Sequence, residues 1–152
     1  MTFRTLHRFT FAFALLTLLA VGASAQDKMN KMDGMNKMSS AKPTVAIIRA
    51  DWCGACQKLE PTMMKLMEEY GDRLNFVVLD VSNDEKTAAS AATARKLGLA
   101  KFFDANKKKT STVAVFGANN KLLSMTHYSR NKETAFNRET YVRAFDEAIA
   151  KG

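Results

Sequence analysis

Ala50-Asp51-Trp52-Cys53-Gly54-Ala55-Cys56-Gln57-Lys58-Leu59-Glu60-Pro61 holds both cysteines of this 152-residue chain. Thr44 to Ala50, just before the cysteines, is short and rich in β-branched residues, the pattern of a buried strand. After them, Leu59, Met63, Leu66, Met67 and Tyr70 recur at helical spacing, which predicts a helix to about Tyr70 with those methionines in the core. Pro61 should kink that helix and Gly71 should end it. The thiols therefore lie where a strand runs into a helix and can open and close one disulfide. The helix N-terminus sets backbone N–H groups and a partial positive charge beside the first sulfur. That favours thiolate and can lower a cysteine pKa from ~8.5 toward ~7. Cys53 is the expected nucleophile, and Cys56, one turn further in and more buried, the expected resolving thiol.

The N-terminus reads as an address. Arg4, His7 and Arg8 form a basic region, Phe9 to Val21 a short apolar run, and Ala23-Ser24-Ala25 a small-residue site, so residues 1–25 are expected to be a signal peptide cleaved after Ala25. The apolar run falls short of the ~20 residues of a membrane span, so no stable membrane insertion is expected after processing. The absence of a cysteine near the cleavage site argues against a lipid anchor. Loss of Arg4 and Arg8 takes the formal charge from +8 to +6. For an exported, periplasmic or secreted protein, that moderate charge suits solubility or acidic surfaces, and nucleic acid is not an expected partner. Lys107-Lys108-Lys109 reads as a solvated loop.

Export also bears on the cysteines, since thiols outside the cytoplasm tend to be oxidised. A loop this short constrains little of the unfolded chain, so the pair makes a poor structural staple. It is also only half of a four-cysteine zinc site. Redox chemistry is the leading reading, with metal binding second.

Residues 26–42 are polar, lysine-rich and free of aromatics, the composition of a disordered tail. Within them Met29, Met32, Met35 and Met38 recur every third residue. Four thioethers at that spacing suit copper(I); the plainer readings are a linker or an oxidant scavenger. The globular part, residues 43–152, suits one domain. Leu74 to Val81 is a second expected strand, and Ser82 with Glu85 makes a capping-box pattern for a helix to Leu97, stopped by Gly98. Residues 99–110 read as a loop with Phe102 and Phe103 tucked against the core. Thr112 to Phe116 and Lys121 to His127 make a hairpin. Arg138 to Lys151 is a final amphipathic helix with Tyr141, Val142, Phe145 and Ile149 on one face. The order βαβα then ββα predicts an α/β fold of three layers, a mixed sheet of about four strands with helices on both faces.

That order, with Trp-Cys-Gly-x-Cys at the end of the first strand and a proline five residues after the second cysteine, resembles the thioredoxin family over about residues 43–151. Thr112-Val113-Ala114-Val115-Phe116, a turn and Lys121-Leu122-Leu123 resemble its strand hairpin. The resemblance implies thiol–disulfide exchange in which Cys53 attacks and Cys56 releases the mixed disulfide. It needs no cofactor beyond the redox-active pair. It implies protein thiol or disulfide clients and a redox partner that resets the pair; a monomer is expected. Trp52, Gly54, Ala55, Ser111 and Thr112 are expected to bind substrate or shape the site.

Three departures stand out. Ser111 holds the place of the family's usual cis-proline, where a cis bond would cost ~3 kcal/mol and a hydroxyl replaces a ring. Ile47 stands where many members have a buried aspartate, and Glu60 is the nearby acid, read as a solvated helix residue. Arg49 replaces a frequent aromatic; its guanidinium either favours a Cys53 thiolate or pairs with Asp51 or another acid. His127, the only histidine left after processing, reads as an exposed strand residue, so nothing supplies the Cys–His pair of a cysteine hydrolase. A copper(I)-handling module, using the methionine tail and both thiolates, is the alternative function. A binding domain with an inert disulfide is the third.

Overall fold

The structure, a computed structural model, describes residues 42–151. The expected signal segment and the tail methionines Met29, Met32, Met35 and Met38 lie outside the described residues. Strands β1 (Thr44–Arg49), β2 (Asn75–Asp80), β3 (Thr112–Phe116) and β4 (Leu122–His127) form one sheet in the order β2-β1-β3-β4. β1 pairs parallel with β2 and antiparallel with β3, so the sheet is mixed, as the order of elements predicts. β3 and β4 form the expected antiparallel hairpin, with a register shift at Val115/Phe116.

Side chains alternate across the sheet. Val45, Ile47, Val113 and Val115 face a layer made by α1 (Gly54–Tyr70) and α5 (Arg138–Ala150), through Leu59, Leu66, Tyr70, Tyr141 and Phe145. Ala46, Ile48, Ala114 and Phe116 face the other layer, where α2 (Asp84–Lys96) and α3 (Ala100–Asn106) contribute Ala94 and Phe103. Met63 and Met67 are buried in the first layer, as core residues. Among the described residues no helix is long and apolar enough to cross a membrane.

Two local expectations are corrected and one further element appears. The cap of α2 is Asn83, whose side chain accepts the Lys86 N–H at 2.8 Å, while Ser82 lies outside the helix and binds elsewhere. Residues 99–110 are not wholly loop, because Ala100–Asn106 forms α3. Phe103 is buried there and Phe102 packs edge-on against Phe116, which meets the expectation for these two rings. A short helix, α4 (Lys132–Phe136), precedes α5 and is capped by Asn131.

Candidate active site

The first turn of α1 is built on Cys53. Its backbone is extended (φ −89°, ψ 102°), and it serves as the helix N-cap with its own sulfur, which accepts the Cys56 N–H at 3.1 Å. A sulfur in that position receives a helical N–H directly and sits at the positive end of the peptide dipoles. Cys56 lies one turn along, and the two are disulfide-bonded with Cα atoms 5.2 Å apart. Both residues are 6% exposed, so Cys56 is not the more buried of the two. Ala50 and Val81 pack around the pair.

Because β1 and β2 run parallel, the loops after them are neighbours. Ser82, just beyond β2, holds the β1–α1 loop: its hydroxyl accepts the Asp51 N–H at 2.8 Å and its carbonyl accepts the Trp52 indole N–H at 3.1 Å. The Ser82 hydroxyl and N–H both donate to Asp80. Gln57 closes the same loop from α1, donating to the Asp51 carbonyl at 2.8 Å. Trp52 itself remains 66% exposed beside the sulfurs.

Arg49 does not act as an isolated cation beside Cys53. It pairs with Asp51 at 2.9 Å and with Asp80 at 3.0 Å, and Lys86 bridges the same two carboxylates at 2.8 and 3.3 Å. The hydrogen bond from Lys86, with Arg49 nearby, holds the Asp51 carboxyl below its ordinary 3.8. The same bond raises Lys86. Two cations and two anions balance within this cluster, so Arg49 is not left as a free positive charge beside the disulfide. Asp80 and Lys86 were not singled out from the sequence, and Ser82 was read only as a helix cap. The parallel pairing of β1 with β2, which sets Arg49 opposite Asp80, was the available signal.

Behind Cys56 lies a small cavity of ≈ 20 Å³, lined among others by Ile47, Arg49, Glu60, Met63 and Ser111. Glu60 is thus half-buried at the cavity edge and not a fully solvated helix residue. Ser111 precedes β3 with φ 64°, and all described peptide bonds are trans. A left-handed serine costs about 1 kcal/mol or more. It is held there by its N–H, which donates to the Ile48 carbonyl at 2.8 Å. His127 donates from Nε2 to the Thr110 carbonyl at 3.1 Å, and its Nδ1 faces Ser129 at 2.7 Å. His127 is therefore half-buried and braces the segment before β3, which differs from the exposed strand residue expected.

Of the site residues read from the sequence, Trp52, Gly54 and Ala55 line the open side of the disulfide. A Cβ added to Gly54 would meet nothing within 4 Å. Ser111 and Thr112 are 3% and 1% exposed; Ser111 lines the cavity with Cys56, while the Thr112 hydroxyl is turned to the Lys109 carbonyl. Among the described residues no group of three or more His, Cys, Asp or Glu is placed to hold a metal.

A dithiol capping the helix that leaves a central strand, in a mixed sheet layered by helices, defines the thioredoxin-like class of proteins. The family model for thioredoxin matches residues 26–125, and the chain belongs to the thioredoxin family. It is similar to the chloroplastic thioredoxin-like protein HCF164 of Oryza sativa subsp. japonica, 48% identical over 46 residues, covering 30% of this chain and 18% of that protein. It is 35% identical over 48 residues to a thiol:disulfide interchange protein TxlA homolog of Synechocystis, covering 32% and 27% of the two chains. To the thioredoxin of Bacillus subtilis it is 36% identical over 53 residues, covering 32% and 51%. The matches thus span from about a fifth to about half of these relatives. In fold it is similar to a thioredoxin-like protein solved in solution in the oxidised form, with TM-score 0.52 and 15% identity over 77% of this chain and 87% of that one.

Proposed function

We propose that this protein is an exported thiol–disulfide oxidoreductase acting on protein clients, with Cys53 as nucleophile and Cys56 as resolving thiol. The observation that carries the reading is the Cys53 sulfur at the N-cap of α1, accepting the Cys56 N–H. A thiolate at that atom is stabilised by a group already in place, with no rearrangement of the helix. The relatives named for thioredoxin and for thiol:disulfide interchange support the same chemistry. Export is supported by the basic, apolar and small-residue pattern of residues 1–25 and by the plastid relative.

In the reducing direction the Cys53 thiolate attacks one sulfur of a client disulfide. The client S–S bond breaks and its first thiolate leaves with the bonding pair. The Cys56 thiolate then attacks the Cys53 sulfur, forming the internal disulfide and releasing the second client thiolate. The client gains two electrons and the pair loses two; the departing thiolates take protons from water. The oxidising direction is the reverse, and a redox partner resets the pair after each turnover. The exposed Trp52 ring and the open side of Gly54 and Ala55 form the face presented to a client.

Cys53→Ser should abolish exchange with a model disulfide, and Cys56→Ala should accumulate mixed disulfides detectable by mass spectrometry. A Cys56→Ala protein that captures no partner from its own compartment, while wild type shows no exchange, overturns the reading.

A further inference from the structure

Among the described residues, Ser111 Oγ is the one buried side-chain polar atom without a hydrogen-bond partner. Such an atom is unfavourable in a folded protein and asks for a reason. The same residue carries a left-handed backbone, φ 64°. Both features belong to a residue that lines the same cavity as Cys56. The Ser111 N–H is fixed to β1, the Thr110 carbonyl is fixed to β4 through His127, and the Thr112 hydroxyl donates to the Lys109 carbonyl at 2.7 Å. The Ser111 backbone is therefore held at the cavity wall by contacts on both sides of it.

In the disulfide state the Cys56 sulfur is bonded to Cys53 and has no charge to stabilise. Once the pair opens, Cys56 must become a thiolate again before it can resolve a mixed disulfide. Ile47 on the cavity wall offers no polar atom. The charged groups facing the cavity are Arg49 from β1 and Glu60 from α1, and Arg49 is already engaged by Asp51 and Asp80. From β3's side Ser111 is the polar group, and His127 of β4 is turned to Thr110 and Ser129.

The geometry points to Ser111 as a hydrogen-bond donor to the Cys56 thiolate, a partnership that forms only when the disulfide opens. The inference rests on the exchange reading above. Ser111 keeps its own proton throughout. A bond to the charged sulfur is stronger than one to the neutral thiol, so the thiolate fraction of Cys56 rises. The Cys56 thiolate then attacks Cys53 as described, and the Cys53–client bond breaks in the same step.

The test is a pH titration of the reduced full chain, with 13Cβ-labelled cysteine followed by NMR, for wild type, Ser111→Ala, Ser111→Gly and Glu60→Gln. The glycine variant suits the left-handed backbone and guards against misfolding of the alanine one. Both Ser111 variants should raise the Cys56 pKa by about one unit. The rate of resolution relative to first attack should fall about threefold at neutral pH, since the more basic thiolate is scarcer but more nucleophilic. Glu60→Gln removes a like charge from the cavity and should not raise the Cys56 pKa. An unmoved Cys56 in both Ser111 variants, or a Cys56 moved only by Glu60→Gln, overturns the assignment. The titration needs no client. Wild type that fails to exchange while its thiols titrate as expected counts against the function alone; normal exchange with an unmoved Cys56 counts against Ser111 alone.

Discussion

Asp51 shows how single residues set the site's charge. Its carboxyl is held low chiefly by the Lys86 hydrogen bond, with Arg49 adding to it. A carboxyl lowered in the folded state contributes stability above its unfolded value, and that contribution is lost as pH falls through the folded value. Lys86 is raised by the same bond, so its contribution is present below its ordinary 10.5 and is lost as pH rises through the folded value. Asp51→Asn should therefore flatten the acid limb of the Tm-against-pH curve below about pH 4. At neutral pH the loss should stay under about 1 kcal/mol, because the Asp51 side chain is 51% exposed. The same substitution leaves two cations facing one carboxylate. The Cys53 thiolate should then be favoured further, seen as earlier growth of thiolate absorbance in the reduced protein. An acid limb unchanged from wild type would show that the cluster is not formed in solution.

At the scale of elements, the start of α2 separates two neighbouring polar residues by their work. Asn83 caps the helix, whereas Ser82 joins Asp51, Trp52 and Asp80. Asn83→Ala should cost about 1 kcal/mol in denaturant unfolding and leave Trp52 emission of the folded state alone. Ser82→Ala should do the opposite, altering Trp52 emission while the helix keeps its cap. Had Ser82 been the cap, as the Ser82/Glu85 spacing suggests, those results would be exchanged. The strands and the long helices were legible because their apolar periods are long and fit one element type. The error at α2 arose because Ser82 and Asn83 are both good caps, and tertiary contacts with the β1–α1 loop choose between them. α3 was hidden by its two-turn length and by Leu99 at its N-cap, which makes no capping hydrogen bond. The cysteines were legible from spacing alone. The ion cluster was not, since Asp51, Asp80 and Lys86 meet only when β1 pairs with β2.

The whole molecule is organised so that neither face of the sheet can be lost alone. β1 gives Val45 and Ile47 to one layer and Ala46 and Ile48 to the other; β3 divides Val113 and Val115 from Ala114 and Phe116. Phe145 anchors the first layer, fully buried and edge-on to Tyr70 at 5.4 Å and Phe76 at 5.6 Å. Phe103, 1% exposed, anchors the second. Truncating either ring to alanine should cost about 3–5 kcal/mol, a large part of the ~5–15 kcal/mol that holds such a domain together. Since both layers are built on the same strands, Phe145→Ala and Phe103→Ala should each shift one transition. Far-UV circular dichroism and Trp52 fluorescence should report the same midpoint. The dithiol leaves the sheet at the end of β1 and Ser111 enters it at the start of β3. Exchange activity should therefore vanish at that midpoint too, in either variant. Activity lost well before the far-UV signal would mean that the β1–α1 junction opens independently of the sheet, and the shared-strand account would fail.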